Sequence, residues 1–508
     1  MPSVLNVPGV YIEEIPSDVH PIAGVSTSDT AFIDYFPRGP LNKAVRVASY
    51  AEFARNFGGL NSDSDASYAI AQFFANGGAV AWVVRISGGT PKASTKMLQS
   101  GGTDVLAVSA SSEGTWGDSL QLAIDDNTVP TTGRFNLTVT EVSAGSPPQV
   151  VRAETFRNLS MDAANPLYVE HVVNGTSQLV TVAVQAAATA TTLPDNPANA
   201  QLENGTDGTV PATLAPFQAG IDALDQIAPA HASLMCLPGS PRLSDALFLQ
   251  AVAYATDYCE RRRIFLLVDI PSGLTTKDQM STWRNDALKM PATSPNSAIY
   301  FPRLNVPDPF TGGQPRSIPA SGTIAGITAR TDAARGVWKA PAGTEATIRG
   351  ASLVTELNDD SNGQLNILGV NVLRSFPIYG SIVWGARTTD GADAKASPWK
   401  YVPVRRTALY LEESLYQGLK WVTFEPNDVP LWSQIRLNVG AFLNGLFRQG
   451  AFAGVTTREA YFVKCDKDTT TPADQDRGVV NVLIGFAPLK PAEFVVLQIQ
   501  QIAGQSAG

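Results

Sequence analysis

Histidine and cysteine are nearly missing from this chain. Three histidines, His20, His171 and His231, are spread over 508 residues, too few and too scattered for a metal site of two or three imidazoles. The three cysteines, Cys236, Cys259 and Cys465, are odd in number, form no CxxC pair and stand in apolar stretches. They read as small buried residues and not as a disulfide framework. Charge is scarce too: 16% of residues are Asp, Glu, Lys or Arg, below the usual quarter. That fits a surface that meets other protein, or a large weakly charged monomer. Basic runs stop at Arg261-Arg262-Arg263, and the net charge is −9, which argues against the basic footprint of a nucleic-acid binder. No run of 18 apolar residues is present, so no direct membrane insertion is expected. Met1-Pro2-Ser3-Val4 lacks the basic-then-apolar start of a signal peptide. The chain is expected to fold and assemble in the cytoplasm.

The signatures of chemistry are missing as well. HExxH, GxSxG, GxGxxG and GxxxxGKS/T do not occur, and the crossover Pro238-Gly239-Ser240-Pro241 has no phosphate cradle. No catalytic residue, cofactor site or metal site is therefore expected. Asp269 follows an apolar strand, where a doubly wound sheet can place an acid, but a turn residue before Pro271 explains it as well. Glu412-Glu413 resemble paired carboxylates. Adjacent helical residues diverge by about 100°, so surface charge or pairing with Arg405 or Arg406 is the simpler reading. Trp384, Trp399, Trp421 and Trp432 have apolar neighbours that favour packing over a stacking surface for ligands.

What is present is a multidomain α/β (α+β) pattern. Thr30–Phe36 and Ala79–Ile86 read as strands, and Ser49–Phe57 and Ala66–Ala75 have helical spacing. Ser49 and Glu52 fit a capping box, and Gly77-Gly78 is a stop. Between about 100 and 215 Ser, Thr, Ala, Gly and Asn dominate, with strand-like pieces at Leu106–Ala110, Leu120–Ile124, Phe135–Val142 and Leu179–Val184. This reads as an inserted β-rich outer domain. Residues 106–215 hold eleven acids against three bases, so nearly all the net charge sits there. Ala232–Leu237, a helix over Ser244–Arg262 and Ile264–Ile270 suggest a parallel strand–helix–strand unit. Arg261–Arg263 close that helix, where cations complement its dipole. Helices are expected over Arg405–Lys420 and Val429–Gln449, and strands over Glu459–Cys465, Val479–Phe486 and Phe494–Ile499. The divisions are an N-terminal arm (1–25), an α/β middle domain (26–100 and 216–370) with a mixed sheet, the insert (101–215), a C-terminal inner domain (371–490) and a C-terminal linking strand (491–508).

Several segments resemble the contractile tail sheath family. They are Pro8-Gly9-Val10-Tyr11-Ile12-Glu13-Glu14; Gly114-Thr115-Trp116-Gly117-Asp118, with Asp where the family commonly has Asn; Ser321–Gly326; and Arg335-Gly336-Val337-Trp338-Lys339-Ala340-Pro341-Ala342, followed by Gly343 in place of Asn. The C-terminal block is Val383–Thr388, Tyr401–Arg406, Phe424-Glu425-Pro426-Asn427-Asp428 and Pro491-Ala492-Glu493-Phe494. Their order runs along nearly the whole chain.

The resemblance implies a structural, non-enzymatic subunit that associates with itself in stacked six-fold rings around an inner tube protein. It also implies baseplate and tail-terminator or cap partners, and a place in a virion tail or tail-like particle released by lysis. Terminal arms would join neighbours by strand addition, here through Val10, Tyr11 and Ile12 and through Phe494, Val495, Val496 and Leu497. Residues 401–464 hold seven bases and five acids, and Lys420, Arg436 and Arg448 are the candidates to face an acidic tube. The alternatives are another self-assembling phage-like structural protein, or an enzyme built on the α/β core.

Overall fold

The computed structural model describes residues 20–129, 133–143, 145–196, 200–288, 290 and 293–498. Ser26–Arg405 is one compact unit. It begins with β1 (Thr30–Tyr35), β2 (Ala44–Val47), α1 (Tyr50–Phe57), α2 (Asp65–Ala75) and β3 (Ala81–Ile86). It then runs through β4 (Thr95–Ser100), β5 (Thr103–Ala110), β6 (Leu120–Asp125), β7 (Phe135–Val142), β8 (Val150–Leu159), α3 (Val169–Thr176), β9 (Val180–Val184) and β10 (Ala200–Gln201). Next come α4 (Leu214–Asp222), β11 (Leu234–Cys236), α5 (Asp245–Arg262), β12 (Phe265–Val268), α6 (Lys277–Asn285), β13 (Ser297–Phe301), β14 (Leu304–Asp308) and β15 (Gln314–Ile318). The unit closes with α7 (Ser321–Arg335), β16 (Ser352–Leu353), α8 (Asp359–Asn366), β17 (Asn371–Phe376) and β18 (Gly380–Val383).

Eight of these strands form one sheet in the order β18-β17-β13-β12-β11-β1-β3-β2. The six inner strands are parallel, and β18 and β2 close the edges antiparallel. β1 and β12 are buried at every position, which is why they read as unbroken apolar runs and not as alternating ones. The strand order reverses between β1 and β11. The expected parallel unit is formed by β11, α5 and β12, paired Leu234 to Phe265.

Helix α7 packs on α2 with backbone nearly touching backbone. A Cβ at Gly322 would overlap the Ala69 carbonyl, and one at Gly326 would overlap that of Phe73. The Gly-x-x-x-Gly spacing within Ser321–Gly326 is therefore a packing requirement. At α1, Ser49 Oγ accepts from Glu52 N (3.2 Å), but the Glu52 carboxylate returns to Ala48 N (2.8 Å), one residue earlier than a capping box requires.

Two smaller sheets, β10-β6-β7-β8 and β4-β5-β9, enclose a separate core that includes Leu106, Leu122, Phe135, Leu137 and Leu179. Single bridges pair Gly88 with Thr209 and Lys92 with Thr206 where the chain enters and leaves. β4 starts at Thr95, before the composition changes. β4, β8 and α3 have no counterpart in the sequence reading; β8 alternates exposed with half-buried positions and has no more than two apolar residues in a row, so it lacks an apolar run. Trp116 of the Gly114–Asp118 segment lies under the Arg38 guanidinium (3.7 Å) and donates to Ser112 Oγ (3.2 Å).

The division expected at 371 falls inside the large sheet. β17 pairs in parallel with β13, Tyr300 to Asn371, and carries β18 with it. The compact unit ends at Arg405. Arg387, fully buried, fixes this stretch by donating to the Asn366 carbonyl (2.8 Å) and to Asp393 (3.0 Å).

The described residues 20–25 and 406–498 form the second unit. Helix α9 (Val402–Gly418) begins in the first unit and continues in the second. It is followed by α10 (Val429–Arg448), α11 (Thr457–Ala460), β19 (Tyr461–Lys464), α12 (Pro472–Asp476) and β20 (Leu483–Phe486). Asp428 caps α10 by accepting from Leu431 N (3.1 Å). Three expected strands need correction. Thr456 and Glu459 form a capping box, so the start of Glu459–Cys465 is helical and its strand begins at Tyr461. Of Val479–Phe486, only Leu483–Phe486 is a strand. Phe494–Ile499 forms no strand over its described residues 494–498. All three cysteines are buried, and burial raises each thiol pKa.

Candidate assembly interface

β19 and β20 form a two-stranded antiparallel sheet, Tyr461 opposite Phe486 and Lys464 opposite Leu483. Its inner face is anchored by aromatic contacts. Phe452 lies 6.1 Å from Tyr461 and 5.8 Å from Phe486 between ring centroids. On the outer face Phe462 is 47% and Leu483 53% exposed, and the Phe462 ring covers Gly485. Among the described residues neither strand has a second strand partner, so both outer edges present backbone donors and acceptors. Such an edge is a template for another chain, and an isolated pair of strands is marginal alone.

The segment after β20 is the complementary feature. Phe494, Val495, Val496 and Leu497 are 76–82% exposed, four consecutive apolar side chains with strand-forming residue types. Pro488 and Pro491 lie between β20 and this segment. They lack amide protons and favour extended backbone, so a tight hairpin back onto β20 is disfavoured. Val10, Tyr11 and Ile12 lie outside the described residues.

The proposed tube-facing cations do not form one cluster. Lys420 is exposed, donates to Gln417 Oε1 (2.6 Å) and lies 5.3 Å from the Tyr416 ring. Arg436 is half-buried and donates to the Cys465 carbonyl and to Ser433 Oγ (2.8 Å), so it braces α10 against β19. Arg448 is exposed in the last turn of α10, a helix about 30 Å long at 1.5 Å per residue. Between Lys420 and α10, Phe424 is fully exposed at a φ of 74°. Beneath it, Asn427 holds Trp432 Nε1 (2.9 Å) and the Val479 carbonyl (3.0 Å).

The carboxyl ends of the large sheet are filled by the chain's own charges. Asp269, buried, accepts from Ser321 N (3.0 Å) and Oγ (2.5 Å) at the start of α7. It is an anchor for that helix; burial pushes its carboxyl up to about 6. Asp34, at the point where strand order reverses, accepts from Tyr35 N (2.8 Å) and from Ala66 N at the start of α2 (2.9 Å). Burial holds it at about 7. Asp65 pairs with Arg242 (2.7 Å) and Arg316 (3.1 Å), and Tyr68 donates to Asp308 (2.9 Å). Where an open α/β sheet binds ligands, helix amides and arginines here bind side chains of the same protein.

The remaining candidates are engaged separately. Glu412 is exposed, whereas Glu413 is buried and accepts from Gln417 (2.7 Å). Trp384 lies 4.9 Å from Phe376 and Trp399 lies 4.9 Å from the Arg405 guanidinium. Trp421 stacks on His20. No group of three potential metal ligands occurs among the described residues.

Residues 218–389 match the family model of the phage tail sheath protein central domain, and residues 394–502 match that of the phage tail sheath C-terminal domain. The chain belongs to the contractile tail sheath family. A putative prophage major tail sheath protein of Pseudomonas aeruginosa is 29% identical over 248 residues, 48% of this chain and 60% of that protein. The tail sheath protein of Vibrio phage KVP40 is 28% identical over 184 residues, 36% of this chain and 26% of that protein. That of Enterobacteria phage T4 is 26% identical over 184 residues, 36% and 27%. The matched stretch thus spans from about a quarter to 60% of these relatives. Among solved structures, the sheath complex of an extracellular contractile injection system, PVC, in its contracted state aligns over 98% of both chains at 21% identity (TM-score 0.58). The contracted helical sheath of the anti-feeding prophage aligns over 98% of this chain and all of that one, at 23% identity (TM-score 0.57). The Listeria innocua sheath tail protein covers 92% of this chain and 96% of its own, at 14% identity (TM-score 0.60). Sheath proteins are structural, and the mixed α/β fold is shared across this set.

Proposed function

We propose that this sheath protein polymerises as stacked six-membered rings around an inner tube and contracts to drive that tube through a target envelope. The observation that carries the reading is the pairing of an unsatisfied acceptor with an unsatisfied donor in one unit. Among the described residues the β19–β20 sheet has two open edges, and Phe494–Leu497 is an exposed apolar segment of strand-forming residues. Strand addition between copies satisfies both, with the tail of one copy and Val10–Ile12 of another lying beside β19 and β20. A strand of this length makes about five backbone bonds at roughly 0.5–1.5 kcal/mol each, several kcal/mol per link. Because the arms are covalently continuous with the bodies, links persist while the bodies slide. Assembly contacts then supply the energy of contraction, and no nucleotide is required.

The partners on this reading are further copies, the inner tube protein, a baseplate and a tail terminator or cap. The particle assembles in the cytoplasm as part of a virion tail or a tail-like injection particle. The likeness to sheaths solved in the contracted state supports contraction. The saturated carboxyl ends of the large sheet count against an enzyme on the same core.

Negative-stain electron microscopy of the purified protein tests the proposal. Hollow striated tubes are expected, and deletion of residues 492–508 removes them while leaving a folded subunit. A small monodisperse particle, even with the tube protein present, overturns it.

A further inference from the structure

Residues 20–25 lie along a single stripe of α9 and the turn that follows it. Val25 N donates to Ser414 Oγ (3.2 Å). Any Cβ on Gly24 would overlap the Tyr410 hydroxyl, and a Cβ on Gly418 would come within 2.7 Å of the Ile22 side chain. Further along, the exposed His20 imidazole stacks on Trp421 with ring centroids 4.3 Å apart and planes 19° apart. Trp421 Nε1 is buried without a hydrogen-bond partner; the stack covers the indole on its face.

The two segments run in opposite directions, so that Val25, Ile22 and His20 meet Ser414, Gly418 and Trp421 in turn. Ser414, Gly418 and Trp421 are one turn apart on the helix and its extension, about 6 Å at 1.5 Å per residue. Val25, Ile22 and His20 are two or three residues apart, about 7–10 Å if extended. Gly24 and Gly418 are the two positions where a side chain would hold the segments apart.

We infer that residues 20–25 are a clamp that fixes the root of the N-terminal linking arm to the unit carrying the β19–β20 acceptor sheet, with the His20–Trp421 stack as its outermost fastening. His20 and Trp421 are positioning residues. They set where the preceding chain departs and transmit a pull on it to α9. The inference rests on the reading that this arm links neighbouring copies. Donor root and acceptor sheet then belong to one body, so links between copies run through that body alone.

The test uses the full-length protein with Ala23→Cys, an exposed position within the clamp, carrying a nitroxide label. The three natural cysteines are buried, so the label is selective. In dispersed subunits the spectrum is expected to show slow motion at this position. Trp421→Ala, and separately His20→Ala, convert it to fast motion without shifting the melting temperature. Tubes made from either variant are expected to dissociate several-fold faster on dilution. His20→Ala keeps the test open if Trp421→Ala fails to fold, because His20 is exposed. Equal label mobility in parent and variants overturns the clamp, and so does parent-like dissociation of variant tubes. A chain lacking residues 1–19 separates the two readings. If it still forms stable tubes, the linking role of the arm falls, whatever the label at residue 23 reports.

Discussion

Asp65 and Phe462 show two opposite treatments of side chains. Asp65 is a buried charge held by Arg242 and Arg316 from two other segments of the same unit. Phe462 is an apolar ring left half in water on a two-stranded sheet. The carboxyl ends of the large sheet bury polar groups and satisfy Asp34, Asp65, Asp269 and Asp308 within the chain. The β19–β20 region and the tail behind it expose apolar groups and open edges. The first region has spent its bonding capacity on making a rigid body. The second leaves its capacity open, and the proposed strand addition between copies would use it. A subunit that must hold shape and also polymerise needs both, and keeps them in different places.

The sharpest way to break this comparison is to damage the joint and leave the body. Ile484→Pro removes an amide from β20 opposite Val463 and disfavours strand geometry. Complete loss of tubes by electron microscopy is expected, with calorimetry showing the melting of the first unit unchanged. The reverse experiment damages the body. Gly322→Val drives a side chain into the Ala69 carbonyl. A loss of about 3 kcal/mol, the upper range for overpacking, is expected as a lowered urea midpoint.

The buried carboxylates sharpen the contrast through pH. Asp34 is held at about 7 and Asp269 at about 6, both from an ordinary 3.8. The folded state therefore binds their protons more tightly than the unfolded state does. Their contribution to stability is full below pH 4, is lost progressively above it by at most about 1.4 kcal/mol per pH unit for each group, and is gone once pH has passed about 6 for Asp269 and about 7 for Asp34. The unfolding midpoint is expected to fall between about pH 4 and pH 7, and Asp34→Asn to flatten that slope. A midpoint level across the window in the parent protein contradicts it. The smallest effect belongs to the surface. Charge reversal at the exposed Lys420 and Arg448 together is expected to weaken co-assembly with the tube protein, measured by co-sedimentation, with exposed pairs worth about 1 kcal/mol or less each; Arg436, which braces α10 against β19, is left in place. Unchanged co-sedimentation removes Lys420 and Arg448 from the tube-facing role.

What the sequence made legible follows physical contrast. β1, β12 and α5 were readable because burial on both faces, or on one helical stripe, leaves an unmistakable apolar pattern. β8 was not, because Arg152, Glu154, Thr155, Arg157 and Asn158 break this edge strand into apolar pieces of at most two residues. The place of β17 in the large sheet was hidden because a parallel pairing with β13 is non-local. Gly322 and Gly326 were visible as part of a family-like segment, but their purpose, backbone contact with α2, needs the second helix to be seen. The roles of Asp34 and Asp269 were hidden for a related reason: their partners are amides at helix starts far along the chain. At the joint, the apolar run Phe494–Leu497 was legible as strand-forming, yet it takes no strand form in a single copy.

The burial of Cys236, Cys259 and Cys465 has a consequence for the life of a particle built from this chain. On the proposed reading, a particle released by lysis would pass from a reducing interior into an oxidising exterior. Many identical surfaces lie side by side in it, an arrangement that would favour covalent bridging if any of them offered a sulfhydryl. None does, so in a lattice of the kind proposed oxygen would find nothing to weld between neighbouring copies.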